Sequence, residues 1–104
     1  MCRHVWPTLG LALLVTSAVA APSAARQAEL LNLLRQDCGA CHGLTLKGGL
    51  GPALLPSALD GKPAAFLAAT ILHGRPGTPM PPWRPFLSDS EVAWLVRQLQ
   101  EGVQ

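Results

Sequence analysis

Apolar residues recur at spacings of three and four in three stretches beyond residue 22, and each stretch is bounded by residues that start or stop helices. In the first, Ser23 to Asp37, a stripe runs through Ala24, Ala28, Leu31, Leu34 and Cys38 and is widened by Leu30 and Leu33. Ser23, following Pro22, is its expected N-cap, and Gly39 is where the chain is expected to leave the helix. The second stretch, Pro63 to His73, places Phe66, Leu67, Thr70 and Ile71 on one face and stops at Gly74. The third opens on Ser88-Asp89-Ser90-Glu91, a capping box with Ser88 as N-cap, Glu91 at the third helical position, and Leu87 and Val92 spaced as a hydrophobic staple. Val92, Leu95, Val96, Leu99 and Val103 form its stripe, whereas Trp94, at about 100° per residue, turns to the opposite face. The pattern predicts an all-α fold with three main helices.

The connections are as informative as the helices. Gly43 to Gly51 holds four glycines, at 43, 48, 49 and 51, and is followed by Pro52, which reads as a loop able to run close to a neighbouring group. Gly74 to Phe86 holds five prolines, at 76, 79, 81, 82 and 85, around Met80, so it reads as a stiff loop with few backbone donors and no regular structure. Stiff hinges of this kind invite exchange of an element between protomers, so a minor dimer formed by swapping the last helix is expected beside the monomer.

The first 20 residues follow a different pattern. Arg3 and His4 form a short positive region, Leu9 to Ala20 is apolar apart from Thr16 and Ser17, and Ala18-Val19-Ala20 offers small residues for cleavage. Residues 1–20 are therefore expected to be a cleaved secretory signal peptide, and residues 21–104 one exported domain. The apolar run is short of the roughly 20 residues a membrane anchor needs, and Cys2 precedes it, which does not suit a lipoprotein. From residue 21 onward there are seven Lys and Arg against six Asp and Glu, a near-neutral balance that points away from nucleic acid. A domain this small buries a modest core and usually needs a staple. Loss of Cys2 would leave only Cys38 and Cys41, both within one motif, so no structural disulfide beyond it is available.

That motif, Cys38-Gly39-Ala40-Cys41-His42, carries the chemistry. Cys-x-x-Cys-His is the attachment pattern of haem c. One helical turn brings two sulfurs to the two vinyl groups of a porphyrin, and the next residue, His42, lies under the iron as proximal ligand. A thioredoxin-like dithiol would follow a strand and open a long helix, but here a leucine-rich helix precedes the motif and a glycine-rich loop follows it. A zinc site drawing on Cys38, Cys41, His42 and His73 would need adjacent Cys41 and His42 to converge on one tetrahedral ion. A disulfide across so short a loop would stabilise little. The Pro52 carbonyl is placed to accept a hydrogen bond from His42 Nδ1, fixing the imidazole tautomer; an ordinary turn at Gly51-Pro52 is the alternative. Met80 is the only methionine after residue 20, and a thioether in a proline-rich surface loop suggests a group that packs or binds. His/Met ligation is standard in c-type sites, which makes Met80 the expected distal ligand, with His73 or an open iron as alternatives. Trp83, three residues on, is expected to wall the haem pocket.

Together these features resemble the class I cytochrome c family, from Cys38-Gly-Ala-Cys41-His42 through Gly51-Pro52 and Met80-Pro81 to Leu87-Ser88-Asp89. The segment His73 to Trp83 is similar to one small branch, the monohaem cytochromes encoded beside the cytochrome cd type of nitrite reductase. The resemblance implies a periplasmic monohaem electron carrier in denitrification, not an enzyme. Its partner would be the nitrite reductase or a protein of haem d biogenesis; an accessory subunit of haem d biogenesis in a stable complex is the alternative. One departure stands out, since many members of the family place an aromatic near the position of Gln98 and this chain has Trp94 instead. Either the helix crossing is packed differently or Trp94 is a surface feature, and an exposed Trp94 would be a candidate for partner contact.

Overall fold

The computed structural model describes residue 2, residues 10–15 and residues 20–103. Residues 10–15 are non-helical, with Leu11, Leu13, Leu14 and Val15 exposed, while Ala18 and Val19 of the expected cleavage site lie outside the described residues. Every regular element among the described residues is a helix: α1 Ala24–Leu33, a π-helical turn Leu34–Cys38, α2 Gly39–His42, α3 Pro56–Leu59, α4 Ala64–His73 and α5 Asp89–Glu101. None is long and apolar enough to cross a membrane.

α1 starts as expected, with Ser23 Oγ accepting the Arg26 amide at 3.2 Å. Its end differs. The chain does not leave the helix at Gly39 but passes through the π turn, closed by the Gly39 amide donating to the Leu34 carbonyl, and continues to His42. Gly39 has helical dihedrals and is buried against the Leu44 backbone, so its small size serves packing and not exit. The exit is Gly43, whose φ of 90° suits glycine. The buried line of this segment is also rotated from the predicted stripe: Leu30 and Leu34 are fully buried while Ala24 and Ala28 are exposed.

α5 is the element that the others pack on; α1, α3 and α4 all contact it. Val92, Leu95, Val96 and Leu99 are buried as their spacing predicts, and the Ser88–Glu91 capping box is formed on both sides. Trp94 is buried too, at 7 % exposure, contrary to the expectation of an outward-facing residue. The reason is that α5 is covered by three helices, so residues well outside one apolar stripe are enclosed. With Leu30, Leu34, Leu46, Leu59, Leu72 and Leu87 these residues make one core. Each fully buried Leu or Val in it contributes about 1.5–3 kcal/mol relative to exposure.

α1 and α5 are also joined at their polar edge. Glu91 accepts from Ser88 N–H through Oε1 at 2.9 Å and from Arg26 Nε through Oε2, and Arg26 reaches Glu29 at 2.8 Å with its other nitrogen. The Arg26 side chain holds the Glu91 carboxyl below the usual carboxylate range, the Ser88 amide adding to the effect.

α4 is almost wholly apolar, yet Leu72 is its one buried residue and Phe66 is 58 % exposed. The predicted face of Phe66, Leu67, Thr70 and Ile71 is thus covered only in part, with Leu67 and Ile71 packed against the core.

Candidate haem-binding site

Cys38 ends the π turn and Cys41 lies in α2, so both thiols sit on one continuous helical segment, unpaired and half-buried. Burial pushes the Cys38 thiol up to about 11, and the neighbouring Asp37 carboxylate adds to it. A dithiol oxidoreductase requires the opposite, a nucleophilic cysteine with a lowered pKa at a helix start. Among the described residues no three His, Cys, Asp or Glu side chains gather as a metal cluster, so Cys38, Cys41, His42 and His73 do not form the zinc site considered above.

The glycine loop closes over the end of α2. The Gly48 amide donates to the His42 carbonyl at 2.8 Å and the Gly51 amide to the Cys41 carbonyl at 2.7 Å, satisfying carbonyls that the helix end leaves open. This brings Gly51 face to face with the imidazole: a Cβ at Gly51 would stand 2.9 Å from His42 Nδ1 and Cε1. His42 Nδ1 donates to the Pro52 carbonyl at 2.6 Å. A neutral ring that donates from Nδ1 carries its lone pair on Nε2, the nitrogen left for a metal. The loop also holds Leu46 at φ 59°, a left-handed conformation for a leucine whose side chain is nevertheless buried.

Met80 lies on the second loop, half-buried. Its carbonyl accepts from Arg75 N–H at 3.2 Å, and Gly74, at φ 66°, packs so closely that a Cβ there would meet the Met80 carbonyl oxygen at 2.7 Å. Beyond it, the Trp83 and Arg84 amides donate to the Ile71 and Leu72 carbonyls at 3.0 and 3.2 Å, which ties the loop to the end of α4. Trp83 is half-buried against the core, with its ring edge-on to Phe86 at 5.9 Å. His73 is exposed at the end of α4. Large apolar side chains also stand uncovered on the motif's own loop, Leu44 at 72 % and Leu50 at 81 % exposure.

These residues fit haem c: two unpaired thiols one helical turn apart, an imidazole with the correct nitrogen available, and apolar surface beside them. Fold and site together define a small c-type cytochrome. The chain belongs to the family described as "Cytochrome C oxidase, cbb3-type, subunit III", whose profile matches residues 25–97. It is 63 % identical over 81 residues to cytochrome c55X of Pseudomonas aeruginosa, covering 78 % of this chain and 68 % of that one. To cytochrome c55X of Stutzerimonas stutzeri it is 52 % identical over 107 residues, covering 98 % and 95 %. Among solved structures, the c-type cytochrome NirC superposes with a TM-score of 0.77 at 62 % identity, over 79 % of this chain and 96 % of that one. Dihydro-heme d1 dehydrogenase NirN in complex with DHE superposes with a TM-score of 0.62 at 43 % identity, over 66 % of this chain but only 15 % of the larger protein. The chain has the all-α class I cytochrome c fold and binds haem c covalently.

Sequence reasoning named the cysteines, His42, Pro52 and Met80 but missed the contact of Gly51 with the imidazole and the bonds that anchor the Met80 loop. The Arg75-Pro76-Gly77-Thr78 run carried a signal for the latter, since Pro-Gly in the middle of four residues favours a type II turn.

Proposed function

We propose that this protein is a periplasmic electron carrier of denitrification, not an enzyme. Cys38 and Cys41 would hold one haem c by thioethers, with His42 Nε2 and Met80 Sδ as the protein's ligands to its iron. The observation that carries this reading is the His42 Nδ1–Pro52 hydrogen bond of 2.6 Å, which commits one ring nitrogen and orients the other. The bound haem supplies a one-electron iron couple, and Met80 keeps its potential above that of a two-histidine site. Gly51 and Pro52 fix the imidazole plane, the Gly74–Met80 packing fixes the thioether side, and Trp83 walls the pocket. With His42 and Met80 both bound to the iron, no site would remain for substrate, and Ala40, Leu44, Pro81 and Pro82 would border the edge at which a partner approaches. The leader, residues 1–20, would be removed on export, leaving residues 21–104 as a mainly monomeric domain.

The likeness of the segment His73 to Trp83 to the monohaem cytochromes encoded beside the cytochrome cd type of nitrite reductase favours that reductase as the acceptor. Stopped-flow mixing of the reduced protein with purified nitrite reductase tests it: haem oxidation should be fast and complete, and absence of transfer contradicts this assignment. The likeness to part of dihydro-heme d1 dehydrogenase favours a second reading, service in haem d biogenesis within a stable complex. Co-elution of the protein with a maturation partner from periplasmic extract would support that reading, while elution alone supports the carrier.

A further inference from the structure

The Met80 loop is an unusual place to find a well-fixed backbone, because Pro76, Pro79, Pro81 and Pro82 can donate no hydrogen bonds. Met80 sits between two of these prolines, so its amide is the single backbone donor across residues 79–82. The carbonyl is held by Arg75 N–H at 3.2 Å. The amide donates to Thr78 Oγ1 at 3.3 Å, and that hydroxyl in turn donates to the Arg75 carbonyl at 2.6 Å. Arg75-Pro76-Gly77-Thr78 closes as a turn with the Thr78 amide on the Arg75 carbonyl at 3.0 Å and Gly77 at φ 79°, a type II signature. The turn therefore holds both backbone ends of the methionine, its amide through the Thr78 hydroxyl and its carbonyl through the Arg75 amide.

Building on Met80 as axial ligand, we propose that Thr78 is a positioning residue: its hydroxyl, bonded to the Met80 amide and the Arg75 carbonyl, keeps the methionine aimed at the iron. Thr78 touches neither haem nor partner in this role. It acts by reducing the freedom of the loop when the thioether lets go, so that the sulfur rebinds in place of a competitor. Removing the hydroxyl takes this acceptor from the Met80 amide and unties the methionine from the turn. The loss is that of about one net hydrogen bond, on the order of fivefold in an equilibrium.

The test is an imidazole titration of the ferric holoprotein, followed through loss of the near-infrared sulfur-to-iron band. Thr78→Val keeps the branched shape and removes the hydroxyl, so it should bind imidazole about fivefold more tightly than wild type. Thr78→Ser restores the hydroxyl and should titrate like wild type. Thr78→Ala, which also drops the branch, should follow Thr78→Val and keeps the test decisive if valine packs badly. Wild-type affinity in both hydroxyl-free variants overturns the proposal, as does a serine variant that behaves like valine. A wild-type protein with no sulfur band would overturn the Met80 ligation itself, an outcome distinct from an unchanged titration with the band present.

Discussion

His42 shows how little freedom the chain leaves a single ligand. Its Nδ1 is bound to Pro52 and one ring face is against Gly51, while Gly51 cannot retreat because its amide is bound to the Cys41 carbonyl at 2.7 Å. Gly51→Ala should therefore push the imidazole off its hydrogen bond. Overpacking of this kind costs about 1–3 kcal/mol, and thermal unfolding of the holoprotein should show a drop of several degrees together with a changed haem spectrum. An unchanged melting curve and spectrum would refute the contact. The His42–Pro52 bond was legible in the sequence because Gly51-Pro52 follows the motif at loop distance. The Gly51 contact and the Thr78 hydroxyl were not, because each depends on how a loop folds back over residues about three to ten positions away, and spacing alone does not fix that path.

At the scale of elements, the capping box was readable because it is local, and the structure adds that Glu91 also receives Arg26 from α1. Glu91 has a folded pKa below its ordinary value, so this contribution to stability is complete above about pH 4.3, the usual carboxylate value, and is lost as the pH falls through the lowered value. Glu91→Gln should melt lower than wild type at neutral pH and lose less stability on acidification, as thermal melts between about pH 2 and pH 7 would show. The same acid slope in both proteins would exclude Glu91 as its source. Helix periodicity located α1, α4 and α5 but not the π turn, whose hydrogen-bond register interrupts the apolar repeat, or α3, whose four residues are too few to show one. Nor could one stripe show that α5 is covered by three helices, which is why Trp94 is enclosed and not the partner patch its helical angle suggested. Trp94→Ala should accordingly cost about 3–5 kcal/mol in denaturant unfolding. A cost near zero would return the residue to the surface.

For the whole molecule, the near balance of seven Lys and Arg against six Asp and Glu beyond residue 20 leaves little long-range field to steer a partner. Electron transfer to nitrite reductase should change by no more than about threefold between low and physiological ionic strength, where screening lengths fall from about 30 to 8 Å. A steep salt dependence would contradict encounter through the apolar surface of Leu44 and the prolines around Met80. The Trp83 and Arg84 amides tie the preceding loop to α4 and leave only a short hinge before α5, so any dimer that swaps α5 should be a minor species after refolding at high concentration, read by size exclusion. The central claim is one haem c held by Cys38 and Cys41 between His42 and Met80. The measurement that tests it most directly is the optical spectrum of the protein, oxidised and reduced, after production with haem-attachment machinery. The account predicts a c-type spectrum from haem that stays on the chain through denaturation and acid extraction, with a near-infrared sulfur-to-iron band in the oxidised native form that disappears in Met80→Ala. Haem that extracts freely, or a Met80→Ala spectrum identical to wild type, would contradict it.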